Sequence, residues 1–370
     1  MKNLKPYETD ATGIEGKALD LIQPTTIAGV KEAVRLNSKI TIRGGGSGLA
    51  GGAVPQNSTI LDLSKLDVIG KFDEQRKTIE VEAGVVLDDL QDFVSNYGLE
   101  FPVNPSSHAI ATIGGMIATN AVGSRAIKYG KTSDWVNWIE VVDSNGEIEK
   151  KTKTELSDYV GMEGITGVIV KAELKLTTAK SRTANLFSSE DLDEIIELVR
   201  QAKRETDVSM TEFFDKKISK LIGLDEKYYL FIEYESDKGK LKNEKYKELT
   251  RTRDSAYPLL AKEGFTHIED PKVLTDRSKK LLQWLESKGV PFFGHLGVGI
   301  VHPCFKQNKE SEKLIEQMMT IVKQAGGRVS GEHGIGITKK QFVDAGDRKI
   351  LLNMKKRLDS QQRFNPGVIL

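Results

Sequence analysis

Cysteine is almost absent from this 370-residue chain. Cys304 stands alone, which excludes an intramolecular disulfide and any cysteine-ligated zinc or iron–sulfur cluster built by this chain by itself. Such sparing use suits a reducing compartment, and a cytoplasmic protein is expected. Long apolar runs are absent too: no stretch approaches the roughly 18 apolar residues that a membrane-spanning helix needs, and the opening MKNLKPYETD holds no signal-peptide core. Any membrane role is therefore expected to be peripheral or to run through a partner. Net charge nearly vanishes, with 54 basic side chains against 53 acidic ones, so no strong field invites nucleic acid. The lysine-rich run DKGKLKNEKYKE (237–248) is interleaved with acids and reads as a solvated helix face or loop. Histidine is scarce as well, at five residues, and each one becomes worth locating.

What is present is enough chain for two domains. PTTIAGVKEAVRLNSKITI (24–42) reads as a helix capped by Thr25 or Thr26 that runs into a short strand. STILDL (58–63) and KTIEVEAGVV (77–86) alternate like strands, and LDDLQDFVSNYG (87–98) is amphipathic and ends in glycine. WVNWIEVVDSNGEIEKK (135–151) predicts a hairpin turning at Ser144-Asn145-Gly146. After Thr178 the texture shifts to a helix at 189–205, a strand at 228–236, a helix near 276–288, strands around 292–305, a helix at 310–324, a last strand into Ser330 and a helical tail from about Lys339. That alternation predicts an α+β domain with an antiparallel sheet. The domains expected are 1–178, completed by 337–370, and 179–336.

IRGGGSGLAGGAVPQNSTILDL (42–63) contains Gly46-x-Gly48-x-x-Gly51, formally a dinucleotide fingerprint. That motif works only where the glycines open a helix, and here Pro55, Gln56 and Asn57 lead into a strand instead. The context rejects a Rossmann site. A glycine-dense strand–loop–strand can still present successive backbone N–H groups to anionic oxygens, so phosphate binding without a helix dipole is expected. A second stretch, NPSSHAIATIGGMIATNAVGSRAIKYGKTSDWV (104–136), has few large side chains and can lie flush against a planar ligand.

These two stretches, with MEGITGVIVKAELKL (162–176), resemble the FAD-binding domain of the vanillyl-alcohol oxidase and para-cresol methylhydroxylase superfamily. The chain is similar in particular to its glycolate oxidase and D-lactate dehydrogenase branch, from about Tyr7 to the terminal FNPGVIL. The resemblance implies an α+β fold: a two-subdomain FAD-binding domain plus an α+β cap domain with an antiparallel sheet. It implies that Gly44, Gly45, Gly46, Ser47, Gly48 and Leu49 line the pyrophosphate. Pro105, Ser106, Thr112, Gly114, Gly115, Asn120, Ala121, Ser124 and Ile169 would follow the flavin and adenine portions, with Asn365 approaching from the tail. The glycine loop has no histidine or cysteine to link the flavin, so non-covalent FAD is expected. His108, the one nearby candidate, reads as a surface residue.

FFGHLGVGIVHPCF (292–305) holds His295 and His302, seven residues apart. On a regular strand that spacing puts them on opposite faces; a bulge at Gly297 or Gly299 would restore a common one. RVSGEHGIG (328–336) sets Glu332 beside His333 among three glycines. Two imidazoles and a carboxylate make a zinc-type or manganese-type site. Members of the resembled branch bind a divalent metal through a GHxGDGNxH motif and a GEHG glutamate, which here would be His295, His302 and Glu332, with His333 as catalytic base. Where that motif has GDGN this chain has Gly297-Val298-Gly299-Ile300, which leaves open whether the histidines bind metal or only hydrogen-bond. TRTRDSAYPLLAKEGF (250–265) resembles the segment whose arginine holds the substrate carboxylate; Arg253 is the first choice and Arg251 the second.

The expected activity is oxidation of a small D-2-hydroxy acid of D-lactate or glycolate type, with hydride passing to flavin N5. No second redox centre is encoded, so oxygen, a quinone, a cytochrome, an electron-transfer flavoprotein or another subunit must take the electrons. Two alternatives stay open: an FAD-binding subunit of a larger oxidase complex, and a superfamily oxidoreductase acting on a different alcohol.

Overall fold

The computed structural model describes residues 2–370. They form two compact units: the residues up to Ala121 with 131–179 and 333–370, and 122–130 with 180–332. The first unit holds two principal sheets. Strands Lys17–Ile22, Gln56–Asp62 and Ile40–Arg43 pair in that order, all parallel. Five antiparallel strands run in the order Ile69–Asp73, Thr78–Glu82, Val168–Lys175, Val136–Val142 and Ile148–Thr152. One core, around Val30, Ile40 and Leu61, also takes Val142, Val168 and Val170 from the five-stranded sheet, and a second, around Ile79, Leu90 and Ile139, draws on the five-stranded sheet without the three-stranded one; two such sheets are the layout expected of two subdomains.

Local chemistry accounts for many of these elements. Helix Ile27–Leu36 starts where the Thr26 side chain accepts from Gly29 N at 3.1 Å. Its Val30, Ala33 and Val34 recur at helical spacing and are buried in a core closed by Phe364 from the far end of the chain. The expected hairpin turns through Asn145-Gly146, where Asp143 Oδ1 accepts from the backbone of both Asn145 and Glu147 and Gly146 takes φ 75°.

The second unit is built on one antiparallel sheet, in the order Thr183–Ser189, Tyr228–Tyr234, Val208–Phe214, Phe292–Gly294, His302–Phe305 and His267–Ile268. Every residue of Val208–Phe214 and Tyr228–Tyr234 is buried. Helices Leu192–Ala202, Lys279–Ser287 and Lys309–Gln324 carry amphipathic stripes of the expected kind.

Three local expectations change. Residues 292–305 are not one bulged strand but two strands paired antiparallel, Phe293 opposite His302, around a 3-10 turn at Leu296–Val298. Gly299 takes the left-handed φ of 78° that closes this turn. No strand runs into Ser330; Arg328 makes a single bridge with Lys272, because that backbone turns instead onto Asp270. The tail is not one helix: a 3-10 turn at Lys340–Phe342 precedes the α-helix Ala345–Leu358, and beyond it Phe364 bridges Ile40.

Candidate active site

Strand Ile40–Arg43 delivers the glycine loop. None of the backbone N–H groups from Gly44 to Leu49 finds an acceptor among the described residues, so these donors remain for a ligand, the condition an anion nest requires. The loop lies against the second small-residue stretch: a Cβ on Gly44 would come 2.2 Å from Thr112 Oγ1, and one on Gly45 would come 1.8 Å from Ile110 O. At Gly48 a Cβ would meet nothing within 4 Å. Glycine thus lets two main-chain segments touch while one face stays open.

The other residues expected around FAD divide into several groups. Thr112 caps helix Ile113–Thr119 by accepting from Gly115 N. Asn120 ends it in left-handed conformation, and its Oδ1 accepts from Ser133 N at 2.9 Å. Ala121 O accepts from Thr132. Gly114 packs where a Cβ would come 2.6 Å from that of Ala83, so its glycine serves packing. Pro105 is half-buried, and Ser106 is exposed. The Ile169 side chain lies inside the core, which leaves only its backbone for contact. Asn365 is buried as a clamp: Oδ1 accepts from Ile42 N at 2.7 Å, and Nδ2 donates to Glu163 O at 2.6 Å. Ser124 lies in the segment 122–130, which packs with the second unit. His108 Nδ1 sits 2.6 Å from Asp88, both half-exposed, and His267 pairs with Glu269 at 2.7 Å.

Inside the second unit the hairpin around Leu296–Val298 brings His295 and His302 together, with ring centroids 5.3 Å apart and planes at 83°. Gly297 N donates to Thr211 Oγ1, and Thr275 Oγ1 donates to Leu296 O, stapling the turn. Glu332 completes the group: Oε1 lies 3.1 Å from His302 Nε2, and Oε2 lies 3.9 Å from His295 Nε2. One donor atom of each residue lies within 4.8 Å of the others. Ligands at zinc-like bond lengths stand about 3.4 Å apart in a tetrahedron, so these three could hold a divalent metal after small adjustments. Ile300 is buried beneath Gly331, where a Cβ would come 2.6 Å from its Cγ1; an apolar residue there fills space without directing a ligand.

Glu212, on strand Val208–Phe214, escaped the sequence reading. Its Oε2 lies 2.9 Å from His295 Nδ1, at ion-pair distance without good hydrogen-bond alignment. This contact assigns Nδ1 to the carboxylate and turns Nε2 toward Glu332. Burial by itself would raise the Glu212 pKa, but His295, Arg253 and His302 outweigh it and hold it below the ordinary carboxylate value. Burial likewise pulls His295 down, and the Glu212 charge overcomes it, leaving the imidazole above its usual value. The signal that could have found Glu212 is a lone charged residue in a fully buried strand whose other members are apolar or carry only a hydroxyl.

Arg253 joins the same electrostatic neighbourhood, since its charge is felt by both Glu212 and His295. Its Nη1 lies 3.3 Å from Met210 Sδ, while Nε and Nη2 donate to Asp254 Oδ1 at 2.9 and 2.5 Å. Asp254 is half-exposed. His333 begins the segment that returns to the first unit.

Comparison with known proteins adds an independent line. Residues 19–151 match the FAD binding domain family, and residues 242–369 match the C-terminal domain of FAD linked oxidases. The chain is 27% identical to a D-lactate dehydrogenase of Anaerostipes hadrus, over 98% of this chain and 92% of that protein. It is 29% identical to glycolate oxidase subunit GlcD of Bacillus subtilis, over 89% and 83%. Identity to a D-2-hydroxyglutarate dehydrogenase of Stutzerimonas stutzeri is 23%, over 94% and 90%. With both domains matched and such relatives aligned over most of its length, the chain belongs to the FAD-linked oxidases of the vanillyl-alcohol oxidase and para-cresol methylhydroxylase superfamily, in its glycolate oxidase and D-lactate dehydrogenase branch.

Proposed function

We infer that the protein is an FAD-dependent dehydrogenase that oxidises a small D-2-hydroxy acid, of D-lactate or glycolate type, to the 2-oxo acid. One observation carries the substrate class: two imidazoles and a carboxylate converge in the second unit, and Arg253 lies against Met210, two residues along the strand from the Glu212 that faces His295. A 2-hydroxy acid offers the complement, a carboxylate for a guanidinium and an adjacent hydroxyl for the imidazole group.

Non-covalent FAD, held by the amides of Gly44 to Leu49, supplies the hydride acceptor at N5. A divalent ion such as zinc or manganese on His295, His302 and Glu332 supplies Lewis acidity toward the hydroxyl. Arg253 binds the substrate carboxylate, exchanging its half-exposed Asp254 partner for it. His333 takes the hydroxyl proton as the α C–H bond breaks. Glu212 holds His295 in the tautomer that keeps Nε2 available. Electrons leave to an external acceptor: a quinone, a cytochrome, an electron-transfer flavoprotein or another subunit. Among the described residues no helix is long and apolar enough to cross a membrane, so a membrane acceptor would be met from the surface.

Anaerobic bleaching of the flavin by a panel of D- and L-2-hydroxy acids tests the reading. D-lactate and its small homologues should bleach it, and His333→Ala should keep the yellow colour while losing about 10²–10⁴-fold in rate. A yellow His333→Ala protein with wild-type turnover would remove that residue from the mechanism. The second reading, an FAD-binding subunit of a larger oxidase, draws on the buried Ile300 and on the relative named as a subunit; absence of bleaching by any alcohol favours it.

A further inference from the structure

Between Ser330 and Gly336 the main chain belongs to no helix or strand, yet it bears Glu332 and His333. Backbone without a ladder must find acceptors elsewhere if its side chains are to be held still. Two buried carboxylates provide them, one in each unit. In the second unit Asp270 is completely buried, and its Oδ2 accepts from Ser330 Oγ at 2.8 Å, Gly331 N at 3.0 Å and Glu332 N at 2.6 Å. Gly331 N also donates to the Asp270 carbonyl at 2.8 Å. In the first unit Glu163 is buried; its Oε1 accepts from Ile335 N at 2.6 Å and its Oε2 from Gly336 N at 2.8 Å. The Glu163 carbonyl in turn accepts from Asn365 Nδ2.

The chain passes from one unit to the other between Glu332 and His333. Asp270 therefore pins the backbone on the glutamate side and Glu163 pins it on the histidine side, each within its own unit. Charge-assisted bonds to successive N–H groups are shorter and about twice as strong as neutral ones, so they limit the loop's freedom more than two peptide carbonyls would. Functional groups held about 1 Å out of place lose roughly a hundredfold in rate, which is the tolerance this loop must meet without regular structure.

We propose that Asp270 and Glu163 are positioning residues with divided duties: Asp270 aims the Glu332 carboxylate at His295 and His302, and Glu163 fixes the backbone from which His333 projects. The proposal rests on the roles given to Glu332 and His333 above. Its consequence is that the two clamps separate in their effects. Releasing Asp270 disturbs the ion-binding group, whereas releasing Glu163 disturbs proton removal.

The test compares Asp270→Ala and Glu163→Gln in the full FAD-loaded protein, with Asp270→Asn as the conservative control. Titration with Zn²⁺ or Mn²⁺ should show affinity lowered about ten- to a hundredfold in Asp270→Ala, largely restored in Asp270→Asn, and within twofold of wild type in Glu163→Gln. Turnover of Glu163→Gln should fall at least tenfold, with its rate–pH profile displaced and its FAD affinity kept. Hydrogen exchange of the loop amides reads the clamps directly: residues 331–332 lose protection in Asp270→Ala, and 335–336 lose it in Glu163→Gln. Metal affinity and turnover falling together, in proportion to lost thermal stability, would overturn the division of duties, as would unchanged exchange. A wild-type protein that takes up neither ion sinks the reading of Glu332 and the Asp270 clamp with it, whereas an active His333→Ala protein sinks the base and the purpose of the Glu163 clamp.

Discussion

Two neighbouring strands of the second unit, VSMTEFF (208–214) and YYLFIEY (228–234), are buried throughout, and each carries one glutamate. Their register puts both carboxylates on one face of the sheet, Glu233 opposite Met210, two residues from Glu212. They have different occupations. Glu233 is saturated by rigid partners: Arg125 Nε and Nη2 at 2.7 and 3.2 Å, Ser209 Oγ at 2.7 Å, and the Tyr246 hydroxyl. Burial would raise its pKa, but Arg125 and these hydroxyls hold it down to about 2. Glu212 faces the His295 imidazole and feels Arg253 only through space. A buried charge therefore does not by itself mark a site; what distinguishes the two is whether the partners are committed to each other or remain available to a ligand.

Breaking the saturated side should give the largest effect. Arg125→Ala leaves Glu233 buried with its main counter-charge gone, and urea unfolding should show a loss of about 3–5 kcal/mol. FAD-loaded protein that still folds should keep its preference among hydroxy acids. Unchanged unfolding would mean that Arg182, whose Nε also lies 3.5 Å from Glu233, suffices alone.

Acid titration sharpens the same contrast with a somewhat smaller effect. The Glu233 pKa is about 2 in the folded protein and near 4.5 unfolded, so its contribution is complete above 4.5 and is lost as pH falls toward 2. That loss amounts to about 3 kcal/mol. Asp215 runs the other way: burial lifts it to about 7 from 3.8, so it stabilises the fold below about 4 and the benefit fades as pH rises to 7. Stability measured by urea unfolding should thus peak in mild acid, and Asp215→Asn should flatten the neutral limb alone.

The smallest stability effect is expected at Glu212. Glu212→Gln retains an amide oxygen beside His295 but no charge. It should cost no more than about 1 kcal/mol in unfolding while lowering Zn²⁺ or Mn²⁺ affinity about ten- to a hundredfold. A fall in stability as large as that of Arg125→Ala, with ion affinity unchanged, would reverse the contrast between the two strands.

Much of this site was readable in the chain because its signals are local. The glycine loop, the small-residue stretch 104–136 and the Glu332-His333 pair are each continuous in the chain, since glycine, turn formers and histidine act through their immediate backbone. The chain singles out His295 and His302, but not the way they meet. A bulge and a hairpin share the same glycines, and only the pairing of Phe293 with His302 separates them. Glu212, Asp270 and Glu163 stayed hidden because their partners lie far along the chain: Glu163 meets Ile335 across 172 residues, and Asp270 meets Glu332 across 62.

What the amino-acid sequence determined by itself was therefore the inventory: an α+β chain with a glycine-dense loop, three ligand-type side chains and a single cysteine. Only the tertiary structure decided which buried acids are fastened and which face the imidazoles. The physical reason is that strand patterning depends on burial alone, and VSMTEFF and YYLFIEY bury their glutamates equally well. The free energy of a buried carboxylate depends on what is brought to within about 3 Å of it, and long-range packing settles that.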